Sequence, residues 1–115
     1  MNIVVLQGTL SRPPEIRSTS SGDVITYEVT TRPDEGPAAT APVAWSQPPK
    51  GAYSFSEGDS VTVVGQVRRR FFRSGGSTQS RTEVIADLVA STRQRKRIAT
   101  EIDRVLTEIE SAAPV

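Results

Sequence analysis

The sequence predicts an all-β domain, a five-stranded Greek-key barrel with a long hairpin between its fourth and fifth strands, followed by one C-terminal α-helix. Three observations carry this reading. Short runs of β-branched residues are separated by Gly, Pro, Ser and Asp. Residues 61–73 alternate with a two-residue period. Beyond residue 91 the apolar spacing changes to that of a helix. At 115 residues the chain fits one domain with a modest core. A hydrophobic fraction of 36%, with eight glycines and eight prolines, suits a loop-rich β domain rather than a helical bundle.

The first strand is expected over residues 2–10, where Ile3, Val4, Val5 and Leu6 favour extended backbone and Gly8 marks a bulge or sharp bend. Ser11-Arg12-Pro13-Pro14 ends it. Residues 15–32 predict a hairpin that turns at Ser20-Ser21-Gly22-Asp23 and returns with Ile25, Tyr27 and Val29 on the core side. The proline- and alanine-rich segment 33–42 predicts a loop. Val43-Ala44-Trp45 is a short third strand, stopped by Pro48-Pro49. The fourth strand spans 60–73, Ser74-Gly75-Gly76-Ser77 supplies the hairpin tip, and 78–89 returns as the fifth. These strands form a domain over residues 1–90.

Residues 91–115 form a basic, then amphipathic, helical extension. Ile98, Ile102, Val105, Leu106 and Ile109 recur at helical spacing, and Ser91 with Gln94 has the pattern of a capping box. The charges oppose the helix dipole: Arg93, Arg95, Lys96 and Arg97 come early, while Glu101, Asp103, Glu108 and Glu110 come late. Something outside the helix must compensate.

Net charge is only +1, yet nine of the fourteen basic residues fall between Arg68 and Arg97, against two acids there, Glu83 and Asp87. Focused positive charge points to a polyanion. With neither cysteine nor histidine, the chain offers no disulfide, thiolate zinc site, His-based triad or His general base. The pairs Asp34-Glu35 and Glu57-Asp59 sit in loops without convergent partners. A non-enzymatic protein with no metal, cofactor or small-molecule substrate is the expectation. Met1 to Gly8 carries no basic leader and is too short and polar for a membrane span, so a soluble, cytoplasmic protein is expected.

The fourth strand carries the functional signal. Val61, Val63, Gly65 and Val67 fall on one face, predicted to be core. Thr62, Val64, Gln66, Arg68, Arg70 and Phe72 fall on the other, predicted to be a binding surface. Alternating guanidinium groups ending in an aromatic ring repel one another within a sheet but suit a flexible polyanion carrying flat bases. Arg68, Arg70 and Arg73 are the expected phosphate contacts, with Phe72, Phe71 and the sole tryptophan, Trp45, as stacking candidates. Arg12, Arg17, Arg32, Arg81, Arg93, Arg95, Lys96 and Arg97 are additional candidates for the cationic track.

Five short strands, a proline-rich connector and a long closing hairpin describe the OB-fold. Within it, Met1-Asn2-Ile3-Val4-Val5-Leu6-Gln7-Gly8-Thr9-Leu10 with Pro14-Glu15 and Gly22, then Tyr27-Glu28-Val29, then Glu57-Gly58-Asp59-Ser60-Val61 through Gly65-Gln66-Val67-Arg68, occur in order. Over residues 1–90 this resembles the bacterial single-stranded DNA-binding protein family. The resemblance implies single-stranded DNA binding without sequence preference, in replication, repair or recombination, by a homo-oligomer, a tetramer on the family pattern and a dimer as the alternative. It also implies stacking roles for Phe72 and Trp45 by position, with Arg68 and Arg70 beside Phe72. The chain departs from the family in having no aromatic residue in Thr40-Ala41-Pro42-Val43-Ala44 and no acidic, aromatic-ended tip, which points to a short or paralogous member. Two alternatives fit the same residues: an OB-fold protein-interaction module, and an RNA-binding OB protein.

Overall fold

The computed structural model describes residues 1–111. The reading of the last four residues, 112–115, lies outside them. In chain order the elements are β1 (Val4–Leu10), β2 (Glu15–Thr19), β3 (Gly22–Thr31), β4 (Ala39–Ser46), a 3₁₀ turn over Lys50–Ser54, β5 (Ser60–Ser74), β6 (Ser77–Ser91) and α1 (Arg95–Ser111). The strands form one sheet in the order β1-β5-β6-β4-β3-β2, and an additional β1–β3 pairing joins its far parts. Five strands thereby close into a ring, with β2 outside it as an edge strand. Every pairing is antiparallel except β4 with β6.

The predicted hairpin over residues 15–32 is present as β2 and β3, and its outgoing arm lies outside the five-stranded ring as a sixth strand. Gly22, at φ 115°, makes the tight turn between β2 and β3, and the Thr19 hydroxyl donates to the Gly22 carbonyl at 2.6 Å. All five β2 residues are exposed, as an edge strand outside the ring allows. The predicted loop at 33–42 is shorter than expected, because β4 starts at Ala39 and continues through Pro42. That proline lies just before β6 joins at Val43↔Val84, where β4 is still an edge and a missing N–H is tolerated.

Gly8 lies where β1 leaves β5 for β3. Beyond it Thr9 pairs with both Ser60 and Thr30. A side chain at Gly8 would collide with the Thr30 carbonyl, so its role is close backbone approach at a barrel corner. The bulge lies elsewhere, between Val64↔Leu88 and Gly65↔Ala86, leaving Asp87 as the extra residue on β6. Gly65 is pressed against the Ile85 carbonyl there.

The core gathers Leu10, Ile25, Tyr27, Val29, Val43, Trp45, Val61, Val63, Val64 and Val89 with Ile98 and Val105 of α1. Tyr27 is buried as predicted, edge-on to Phe55 at 6.2 Å, and burial pushes its phenol pKa well above the ordinary value. The predicted division of β5 into faces is corrected in its first half. Thr62 and Val64, expected on the binding surface, are fully buried, and Val67, expected in the core, is 43% exposed. Residues 61–65 are all buried because both faces of the strand are covered there, and α1 packs on β5 and β6. Past the bulge both faces of the strand meet solvent.

The helix is present, but the capping box is not. Ser91 ends β6, its backbone carbonyl accepts from Gln94 N at 2.9 Å, and the helix begins at Arg95. Its first turn carries no acid and its last no base, confirming the reversed charge order. Among the described residues no helix is long and apolar enough to cross a membrane.

Candidate nucleic-acid interface

The β5–β6 hairpin projects because its tip is a two-residue turn. Gly75 and Gly76 have φ of 58° and 83°, the positive pair that a type I′ turn needs and that glycine adopts without strain. Ser74 pairs with Ser77, and this register carries down the ribbon: Phe72↔Gln79, Arg70↔Arg81, Arg68↔Glu83. Cross-strand partners share a face. Arg68, Arg70, Phe72, Arg81 and Glu83 therefore stand together, with Arg70 and Arg81 directly opposed.

This face forms one wall of a cleft of about 340 Å³ that crosses the sheet from β5 to β2. Five arginines line it: Arg12 from the β1–β2 connection, Arg17 from β2, Arg68 and Arg70 from β5, and Arg81 from β6. Its floor includes Thr26 and Glu28 of β3 and Pro42, Ala44 and Ser46 of β4. All five arginines are candidates from the sequence, and the fold unites them across 69 positions of chain, from residue 12 to residue 81.

Three carboxylates share the cleft, Glu15, Glu28 and Glu83. Glu83 is 7% exposed. Its Oε1 accepts from Arg68 Nη2 at 3.2 Å and lies 3.4 Å from Arg70 Nε. Arg70 Nε is buried and has no well-aligned hydrogen-bond acceptor, so Glu83 holds it by charge alone. Arg81 Nη2 donates to Glu28 Oε1 at 3.3 Å. The carboxylates relieve the Arg70/Arg81 juxtaposition and leave the cleft a net of two positive charges. Arg12 and Arg17 have no ion-pair partner in the described structure and stand exposed at the opposite wall.

The aromatic candidates separate. Phe72 is half-buried on the cleft side, with the Arg70 guanidinium 5.5 Å from its ring centroid. Phe71 is 67% exposed on the reverse face of the ribbon, where Arg69 lies 6.0 Å from its ring. Arg73 shares that reverse parity, so it and Phe71 lie on the face of the ribbon opposite Arg68 and Arg70 and line no part of the cleft.

Trp45 is also corrected. It is 6% exposed, pairs with the fully buried Ile25 and belongs to the core, so its ring is not an open stacking platform. Alternation along β4 sends Val43 and Trp45 inward and leaves Ala44 and Ser46 toward the cleft. The edge of Trp45 reaches only a separate depression beside Arg97 and Thr100.

Arg32, Arg93, Arg95, Lys96 and Arg97 are exposed but line no part of the cleft. The last three belong to the first turn of α1. Sequence reasoning missed the acidic half of the site, although a signal existed. A Gly-Gly turn at 75–76 sets the ribbon register, and that register puts Glu83 opposite Arg68.

Within the cleft Glu83 holds Arg68 and Arg70, Glu28 holds Arg81, and Arg12 and Arg17 face them unpaired in the described structure. Chemically the cleft can hold a chain of phosphates against exchangeable counter-charges. No protein-family model matches the chain, and a search of the curated proteins returns no match.

Proposed function

We propose that this chain is a non-enzymatic OB-fold protein that binds single-stranded DNA without sequence preference, through its backbone first and its bases second, in replication, repair or recombination. The five-stranded ring with its projecting β5–β6 hairpin supports the OB-fold reading. The observation that carries the functional reading is the convergence of Arg12, Arg17, Arg68, Arg70 and Arg81 on one cleft. Guanidinium groups pair bidentately with phosphate oxygens, and an open, curved cleft admits a flexible strand more readily than a rigid duplex.

Stacking is the lesser part. Phe72 is the one phenylalanine ring on the cleft side, and the planar guanidinium above it offers a second flat surface for a base. The strand enters as Glu83 and Glu28 yield some of their hold on Arg68, Arg70 and Arg81, so binding exchanges one set of ion pairs for another.

Fluorescence anisotropy of a labelled oligodeoxythymidylate, titrated at low salt, tests this. Saturable binding that weakens with salt and is lost in Arg68→Ala/Arg70→Ala supports it. No binding at low salt, or binding indifferent to that variant, contradicts it. Competition with the matched oligouridylate decides between DNA and RNA.

A further inference from the structure

The helix presents more than its inward face. Ile98 and Val105 are buried against the barrel, but Leu106 and Ile109 are 49% and 45% exposed. With the exposed Ala99, and with Ile102, which is partly buried against the core at the stripe's inner edge, they form a second stripe in which Ala99 and Leu106 take the a positions, and Ile102 and Ile109 the d positions, of a heptad. Lys96, Asp103 and Glu110 recur every seventh residue beside it, at e, and none has an ion-pair partner in the described structure. By contrast Arg104, on the other flank, is engaged by Asp87, Glu101 and Glu108.

We infer that this stripe is a dimerisation seam, on which α1 of a second copy of the chain packs antiparallel about a two-fold axis near residues 103–104. The charge order selects the occupant. A helix basic at its start and acidic at its end is complementary to itself reversed, so Lys96 meets Glu110 of the second copy, twice per dimer. The antiparallel neighbour also supplies the negative charge that the first turn lacks and the positive charge that the last turn lacks. In the same register Ile102 faces Leu106 and Ala99 faces Ile109 across the seam. Asp103 meets its own copy near the axis and weakens the pair. With two large, half-exposed side chains per chain, the contact belongs to the small, transient class of interfaces.

Sedimentation equilibrium of the nucleic-acid-free protein across a dilution series tests the seam independently of any DNA binding. The mass should rise from one chain toward two with concentration. Leu106→Lys/Ile109→Lys, changed on exposed positions and checked for native circular dichroism, should stay at one chain throughout. Lys96→Glu should raise the dimer Kd roughly 5- to 10-fold, adding Glu110→Lys should restore it, and Asp103→Asn should lower it. A constant single-chain mass, a dimer that survives the double-lysine variant, or a charge swap that fails to restore association overturns the inference.

Discussion

Arg12 and Arg17 give the cleanest perturbation of the cleft. Both are exposed and unpaired in the described structure, so replacing them with alanine removes two cleft-lining charges without stranding a buried partner. Each phosphate neutralised on a single strand contributes about 0.7 to the slope of log K against log salt, so the pair accounts for roughly 1.4. The whole cleft sets an upper slope of about 3.5, reached if all five arginines are surrendered to the strand, and a lower one of about 1.4 if the carboxylates keep the other three. Between 50 and 200 mM salt these limits correspond to losses of roughly a hundredfold and sevenfold. Arg12→Ala/Arg17→Ala should therefore flatten the measured slope by about 1.4. With the electrostatic contribution referred to 1 M salt, it should weaken binding at 50 mM by roughly sixtyfold. Anisotropy titrations of one labelled oligodeoxythymidylate over a series of salt concentrations read both quantities. A slope unchanged to within about 0.3 would refute the placement of a phosphate path between the two walls.

Three further outcomes follow from the same geometry. Glu83→Gln should tighten binding and steepen the salt slope by up to about 1.4, since Arg68 and Arg70 are released together, and urea unfolding should show a loss of about 1 kcal/mol because the arginine side chains it pairs with are 55% and 41% exposed. Weaker binding by this variant would show that Glu83 holds those arginines in the productive position instead. Trp45→Phe should cost roughly 1–2 kcal/mol of stability by underfilling the core yet leave affinity unchanged, whereas a stacking role would cost about 1–3 kcal/mol of binding. Gly65→Ala should destabilise by about 1–3 kcal/mol in urea, because its methyl group must displace the Ile85 backbone carbonyl at the bulge, and unchanged stability would mean that the bulge relaxes freely.

The sequence made the projecting hairpin legible because Gly75-Gly76 sits between two alternating runs, and Arg68, Arg70 and Phe72 share a parity that survives in the fold. Trp45 was opaque for a physical reason. Val43-Ala44-Trp45 is apolar at three successive positions, so no period tells inside from outside, and the residue was placed by analogy where burial decides otherwise. The faces of β5 were misjudged near Thr62 and Val64 because two-residue alternation reports a sheet covered on one side. Here the strand is covered on both. The edge strand β2 is legible from the turn residues Ser20-Ser21-Gly22-Asp23 rather than from hydrophobicity, because nothing in it is buried. Glu28 and Glu83 are visible in the sequence but not as members of the site, because a search for cations discards the anions that position them. Their partners became visible only through the strand register.

The central claim is that a single-stranded polyanion lies in the cleft between Arg12/Arg17 and Arg68/Arg70/Arg81. Titrating the ¹⁵N-labelled protein with an oligodeoxythymidylate and following the arginine side-chain and backbone resonances tests it most directly. Shifts should concentrate at those five arginines with Thr26, Glu28, Ala44 and Glu83, leaving Arg93, Arg95, Lys96 and Arg97 largely unmoved. Shifts centred on the start of α1 or on the reverse face at Arg69 and Phe71, with the cleft silent, would contradict it.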